Sequence, residues 1–387
     1  MELALYCPIC GYYEKEEDII GRRGDYYTNV SVGKLFGELL AFQFAEWLDQ
    51  CREARGGGGG PDALIAASAG GEGLRIVEAG AHGGALAADI LGWMREHRPG
   101  LFPSLEYWIV EPSERRRGWQ RRRLGAFGRQ VHWVTDVADV AGTPMVAAGV
   151  PRLAGIRGII FCNELLDAMP THRLGWDAKA QAWFEWGVAL EGGQFVWTRL
   201  AMPAPRGNDR SVPLPFAPTQ WPGAIADELR EVLPDGFTTE WCPAADQWWR
   251  TAANALACGK LLTLDYGLAA EEFFVPERRG GTLRAYQRHH STPDLLANPG
   301  EQDLTAHVNF TAVKAAGESA GLSTDGLVTQ AQFLTGIAAR VWQEGGAFGD
   351  WTAAQRRQFQ TLVHPDHLGR AFRVLVQSRG GEPENSD

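Results

Sequence analysis

From Lys34 to Cys51, apolar residues recur at Leu35, Leu39, Phe42, Ala45 and Leu48, close to the helical period, and predict a packed helix. Short apolar runs at about 74–79, 105–111, 131–134 and 156–162 read as buried strands, and they alternate with helical stretches at about 84–97 and 113–125. Strand and helix in alternation predict an α/β fold built on a parallel, doubly wound sheet. Between these two regions, Arg55 to Gly73 carries five consecutive glycines and Pro61 and reads as a flexible loop insertion. The rhythm breaks from about 170 to 255 into aromatic strand-like pieces (182–187 and 194–198), a Pro-rich run from Pro203 to Pro222 and two helices, which together read as an inserted substrate or cap region. Gly259 to Gly267 then returns to the sheet as a further buried strand. The expected organisation is an N-terminal segment over 1–73, a core over 74–190, an insertion over 191–258, and the rest of the core with a C-terminal region over 259–387. No internal repeat is visible.

With 387 residues the chain can form one or two domains with a sizeable core. Its 45% hydrophobic and 22% charged content is ordinary for globular proteins, and no apolar run approaches the roughly 18 residues of a membrane span. The start, Met1 to Tyr6, lacks the basic and apolar regions of a secretory signal, so export is not expected. A net charge of −10 disfavours a broad nucleic-acid-binding face. Arg115 to Arg117 and Arg121 to Arg123 still form a basic patch on one predicted helix, read here as a solvated surface. Six scattered cysteines do not make a disulfide framework, and a reducing cytoplasm is the expected setting. Cys7-Pro-Ile-Cys10 has the spacing of half a zinc knuckle, but no second pair completes four ligands, and no metal site is expected.

The chemistry concentrates where strands end. Gly80-Ala-His-Gly-Gly84 lies between a strand and a helix: glycines allow a sharp turn and close approach of a ligand, and the helix start offers unpaired N–H groups. About 30 residues later a second strand ends in Glu111, the position at which an acid commonly accepts hydrogen bonds from ribose hydroxyls. Thr135-Asp136, Asn163 to Asp167 and Asp265-Tyr-Gly267 follow later strands, and in open α/β sheets such ends share one rim. Any one of them taken alone is an ordinary turn or cap residue. A rim rich in carboxylates and poor in Lys or Arg suits adenosine and a cationic group better than a pyrophosphate, which favours S-adenosylmethionine over NAD or ATP.

Several segments carry a family likeness: Ala4-Leu-Tyr6 with Gly11-Tyr-Tyr13, Ile20 to Thr28, Phe36 to Leu40, Asn163-Glu-Leu-Leu-Asp-Ala-Met-Pro170, Leu262 to Gly267, Gly281 to Tyr286 and Asp303 to Phe310. In this order, almost end to end, the chain resembles the MidA/NDUFAF7 family of class I S-adenosylmethionine-dependent methyltransferases, whose mitochondrial members are protein arginine methyltransferases acting in complex I assembly. The resemblance implies a seven-stranded Rossmann-like sheet with an inserted region. It implies that Glu78, Gly80 and Gly84 form the cofactor turn, Glu111 holds the ribose, and Asp136 lies near the adenine. It further implies that the Gly24-Asp25-Tyr-Tyr-Thr28 segment folds over the methionine end, with Asn163 beside the methyl group. Glu164 and Asp167 are the catalytic candidates, because a planar, protonated guanidinium needs paired carboxylates to orient it and to accept a proton. One departure stands out: the family's Gly-x-Gly-x-Gly turn has His82 at its centre. The expected partner is therefore a protein substrate through its arginine side chain. The alternatives are a small-molecule methyltransferase, with Trp183, Trp186, Trp197, Trp241, Trp248 and Trp249 lining an apolar pocket, and a binding or assembly protein that kept the fold without turnover.

Overall fold

The apolar runs become strands, and the periodic segment becomes the long helix that covers them. The structure is a computed structural model and describes residues 1–15, 28–56, 73–141, 155–200, 231–287, 290–343 and 349–380. The chain folds into two compact units interleaved in sequence. One comprises Glu17–Leu166, Trp248–Tyr266 and Gly317–Asp387, the other Met1–Glu16, Asp167–Gln247 and Gly267–Ala316.

The first unit holds strands β1 (Arg75–Ala79), β2 (Glu106–Val110), β3 (Val131–Val134) and β4 (Ile156–Asn163). With β9 (Leu256–Leu268), β14 (Ser323–Thr329) and β15 (Phe372–Arg379), they form a sheet of order β14-β15-β9-β4-β1-β2-β3. Strands β3, β2, β1, β4 and β9 pair in parallel, and β15 runs antiparallel to both neighbours, β9 and β14. Parallel pairing requires crossovers, and the helices Ala85–His97 and Glu114–Leu124 supply them between β1 and β2 and between β2 and β3. Strand order reverses between β1 and β4, which opens a ligand crevice beyond their carboxyl ends.

The predicted helix, observed as Leu35–Gly56, buries Leu35, Leu39, Phe42, Ala45 and Leu48 to less than a tenth exposure. Phe44 on the same helix meets Phe161 of β4 edge to face at 5.0 Å, so helix and sheet share one apolar core. At the centre of the sheet, Arg75, Gly158 and Gly259 lie side by side across β1, β4 and β9. Gly158 has φ +134°, and a Cβ there would stand 2.1 Å from the Arg75 carbonyl oxygen.

The second unit is antiparallel. Strands β5 (His172–Asp177), β6 (Ala182–Glu191), β7 (Gln194–Leu200) and β8 (Thr238–Trp241) form a sheet of order β7-β6-β5-β8. It is backed by Trp176, Leu233 and Phe237, with Trp183 packed against them. A smaller sheet joins β11 (His290–Thr292), β10 (Arg284–Gln287) and β12 (Asp303–Thr305). Three of the tryptophans considered as pocket lining take structural places within their own units: Trp183 packs on Trp176, Trp186 donates to Thr238 Oγ1 at 3.3 Å, and Trp249 is fully buried, donating to Gln377 Oε1 at 2.7 Å. The Pro-rich run from Pro203 to Pro222 lies outside the described residues.

Replacing Gly158 with Ala forces β4 away from β1 and is expected to cost about 3 kcal/mol or more, read as a lowered midpoint in denaturant unfolding.

Candidate functional site

At the end of β1 the chain turns through left-handed backbone. Gly80 has φ +77° and His82 has φ +43°, and the Gly84 N–H donates to the Ala81 carbonyl at 2.7 Å to close the turn. A Cβ at Gly80 would also approach Leu165 Cδ1 to 3.0 Å, so this position takes glycine for both conformation and space. Gly84 caps the Ala85–His97 helix without any side-chain hydrogen bond, leaving the first helical N–H groups for other partners. A solvent-open cavity lies over this turn. Its walls include Thr28, Glu78, Gly80, His82, Asn163 and Glu164, all from one unit.

Glu78 sits on β1 at 3% exposure, with Tyr107 Oη donating to its Oε2 at 2.7 Å. Burial pushes its carboxyl up to about 7, against the opposing pull of the tyrosine hydrogen bond. On the far side of the reversal point, Glu164 follows β4 with φ +53°. Its Oε1 accepts from the Asn29 backbone N–H and from Asn163 Nδ2, each at 3.0 Å. Asp265 Oδ2, fully buried on β9, accepts from the N–H groups of Leu165 and Leu166 at 3.2 and 2.8 Å and so fixes the turn that presents Glu164. Asn29 is the junction behind this: its Nδ2 donates to Asn163 Oδ1 at 3.2 Å, and its Oδ1 accepts from Gln330 Nε2 at 2.8 Å.

The expected site residues divide. Thr28, Glu78, Gly80, Asn163 and Glu164 meet around the cavity. Gly24 and Asp25 lie outside the described residues. Gly84 is not in the cavity wall; it packs where a Cβ would stand 3.4 Å from Leu124 Cδ1. Glu111 is 2% exposed, and its carboxylate is occupied by Arg116 Nε at 3.0 Å, the Ser113 N–H at 2.9 Å and Gln120 Nε2 at 3.2 Å. The same Gln120 Nε2 donates to the His82 carbonyl at 2.8 Å, so Glu111 connects to the glycine turn through one glutamine. Asp136 is exposed and accepts from the Ala138 N–H at 2.8 Å as a helix-start cap. Asp167 is buried in the other unit, where its carbonyl accepts from the Ala306 N–H at 2.9 Å.

The solvated-surface reading of the arginine patch is corrected at Arg116, which is 8% exposed and paired with Glu111. Sequence reasoning also passed over Asn29, Ser31 and Arg123. Asn29 and Ser31 adjoin the Gly24–Thr28 motif, but Arg123, read only as part of the basic patch, reaches the cavity from the Glu114–Leu124 helix.

His82 stands at the centre of the turn. Its φ lies in the left-handed region that glycine occupies freely, at a cost of order 1 kcal/mol for other residues, and its ring packs at 5.8 Å from Trp119 while still bordering the cavity.

The residues present fit an adenosyl sulfonium. Two carboxylates, Glu78 and Glu164, face the cavity, the glycine turn admits close approach, and Arg123 is the one basic side chain among the described lining residues. A parallel sheet with its crevice at the strand reversal and an acidic glycine turn defines a Rossmann-like nucleoside-cofactor enzyme. A family model described as "Putative S-adenosyl-L-methionine-dependent methyltransferase" matches residues 39–328. The chain belongs to this family, and its methyl donor is S-adenosylmethionine.

Among known relatives, the Xenopus tropicalis protein arginine methyltransferase NDUFAF7, mitochondrial, is 26% identical across 98% of this chain and 82% of its own length. The Homo sapiens counterpart is 25% identical across 97% and 78%. A COG1565 superfamily member from Burkholderia thailandensis, solved bound to S-adenosylhomocysteine, superimposes with a TM-score of 0.74 at 29% identity, covering 99% of this chain and 87% of that one.

These relatives overturn the cytoplasmic placement, since the matched NDUFAF7 proteins are mitochondrial. A low cysteine count separates oxidising from reducing surroundings and does not say which reducing compartment holds a protein. Among the described residues no helix is long and apolar enough to cross a membrane, and no cluster of three His, Cys, Asp or Glu side chains is placed to hold a metal ion.

Glu78 generates a pH prediction. Its folded pKa is raised from 4.5 to about 7, so its contribution to stability is fully present below pH 4.5 and is lost as pH rises towards 7, about 3 kcal/mol in all. Binding of a cation gains as the carboxyl ionises. Calorimetric affinity for S-adenosylmethionine should therefore rise through pH 7 by about tenfold, and Glu78→Gln should flatten the profile.

Proposed function

We propose that this chain transfers a methyl group from S-adenosylmethionine to the guanidinium of an arginine in a protein substrate. Two facts support the reading: relatives named as protein arginine methyltransferases align over nearly the whole chain, and the Glu164 carboxylate borders the cofactor cavity on left-handed backbone. The second carries the argument. Left-handed backbone costs a non-glycine residue about 1 kcal/mol; here Asn29 and Asn163 donate to the carboxylate, and Asp265 holds the backbone of the turn just after it.

The bound cofactor supplies an electrophilic methyl on sulfur. The protein's part is alignment and charge. Glu164 orients the planar guanidinium, keeps one nitrogen directed at the methyl, and lowers the cost of losing a proton from that nitrogen as the new N–C bond forms. Thr28, Glu78, Gly80 and Asn163 hold the cofactor directly. Glu111 acts through Gln120 on the His82 carbonyl, a positioning role in place of a ribose contact. Asp167 joins the proposal from its place in the Asn163–Pro170 motif.

Incubation with labelled S-adenosylmethionine in a lysate of cells lacking this protein should place the label on a protein band, at arginine. Glu164→Gln should lower transfer by about 100-fold or more while calorimetric cofactor affinity stays within a few fold. Label confined to small molecules overturns the reading in favour of a small-molecule acceptor.

A further inference from the structure

Nothing in the methyl-transfer reading uses the two cysteines near the start of the chain. The Glu2–Tyr6 helix ends at Cys7, whose N–H donates to the Leu3 carbonyl at 3.3 Å. Pro8, Ile9 and Cys10 then form a turn closed by the Gly11 N–H donating to the Cys7 carbonyl at 2.8 Å. A turn of this kind holds its first and fourth Cα atoms within about 7 Å, the range a disulfide bridges without rearranging the backbone. Held at the two ends of one turn, the two thiols bear on each other's ionisation.

The pair is asymmetric. Backbone N–H groups of Ile9 and Cys10, followed by the Cys10 thiol, stabilise the Cys7 thiolate and lower its pKa, while the same contact raises that of Cys10. That is the division of labour between an attacking thiol and a resolving one. Access separates this pair from three of the other four cysteines, and contacts separate it from the fourth. Cys10 is exposed and Cys7 partly so, whereas Cys51, Cys162 and Cys258 are buried. Burial pushes the Cys51 thiol up to about 12, and Cys242 Sγ is directed at the Met169 and Pro170 carbonyls.

The flanks of the turn are anchored within the same unit. The Tyr6 ring stacks on Tyr13 at 5.5 Å, Tyr6 Oη donates to the Ala168 carbonyl at 3.0 Å, and Tyr13 Oη donates to buried Asp303 at 2.7 Å. The segments on either side are thus tied down, while the turn between them, Pro8 to Cys10, is exposed.

We propose that Cys7 and Cys10 form a redox-active dithiol that reacts with small-molecule disulfides of the glutathione type and closes reversibly into an intramolecular disulfide. The Cys7 thiolate attacks one sulfur of the small disulfide, forming a mixed disulfide and releasing one small thiolate. Cys10 then gives its proton to solvent and attacks the Cys7 sulfur, which releases the second small thiolate. In total the protein dithiol loses two electrons and two protons, and one small disulfide becomes two thiols. In a reducing compartment such a bond is transient, formed when the small-molecule pool shifts towards oxidation.

The full chain, reduced and then exposed to graded mixtures of reduced and oxidised glutathione, should lose two hydrogens by intact mass. Peptide mapping should place the bond between Cys7 and Cys10. Cys10→Ser should stall as a glutathione mixed disulfide on Cys7, while Cys7→Ser should acquire glutathione at Cys10 at least about tenfold more slowly. Both serines are near-isosteric on a surface turn, and the unaltered chain reports bond formation whatever the variants do. A chain that stays reduced under excess oxidised glutathione, a bond mapped to Cys51–Cys258, or equal rates in the two variants overturns the proposal.

Discussion

A sheet whose central strands are covered on both faces by helices leaves a polar group few places to go except the strand ends. In β1, β4 and β9 nearly every side chain is buried, so the exceptions are informative. Glu78 and Asp265 lie on those strands close to their carboxyl ends, and Asn163 and Glu164 lie where β4 gives way to its turn. The crevice at the strand reversal concentrates these groups, and the chemistry of the site is the set of polar residues the core could not absorb.

Asp265 and Glu78 are both buried carboxylates, yet they do different work. Asp265 is matched to backbone donors: three N–H groups, of Leu165, Leu166 and Tyr266, point at it, and it organises the turn after β4. Glu78 accepts from the Tyr107 phenol and is pushed towards neutrality by burial, which makes it responsive to a cationic ligand. Environment alone separates a structural carboxylate from one able to answer a ligand's charge. Glu111 shows the same rule a third way, because Arg116, Ser113 and Gln120 satisfy it, and its influence reaches the cofactor turn through an amide.

Much of this was legible in the chain. The helix over 34–51, the strands before Gly80 and Glu111 and the crossovers between them follow from periodicity, because burial on one face or two leaves a period of its own. The motif Asn163 to Asp167 announced a polar strand end. What periodicity could not carry was the partner of each polar residue. Asn29 lies 134 and 135 residues from the groups it holds, and Gln330 lies 301 residues from Asn29. Such pairings leave no local trace, so Asn29 drew no reading; the partners of Glu111 are only 2, 5 and 9 residues away, but the sequence does not say which side chains turn inward. The arginine-rich helix read as solvated for the same reason: composition cannot tell Arg116, paired inward, from neighbours that face water.

By itself, the sequence determined the alternation of strands and helices and the glycine turn with its acid, because local sterics and burial write these at short range; the methyltransferase family was legible through motif resemblance. Tertiary structure alone decided which carboxylates meet the cavity, that His82 is carried on left-handed backbone, and that Glu164 is held by Asn29. Those outcomes depend on contacts between segments separated in the chain, 38 residues for His82 and Gln120 and 135 for Asn29 and Glu164, and the free energy of a hydrogen bond or a buried charge is set by its neighbours in space.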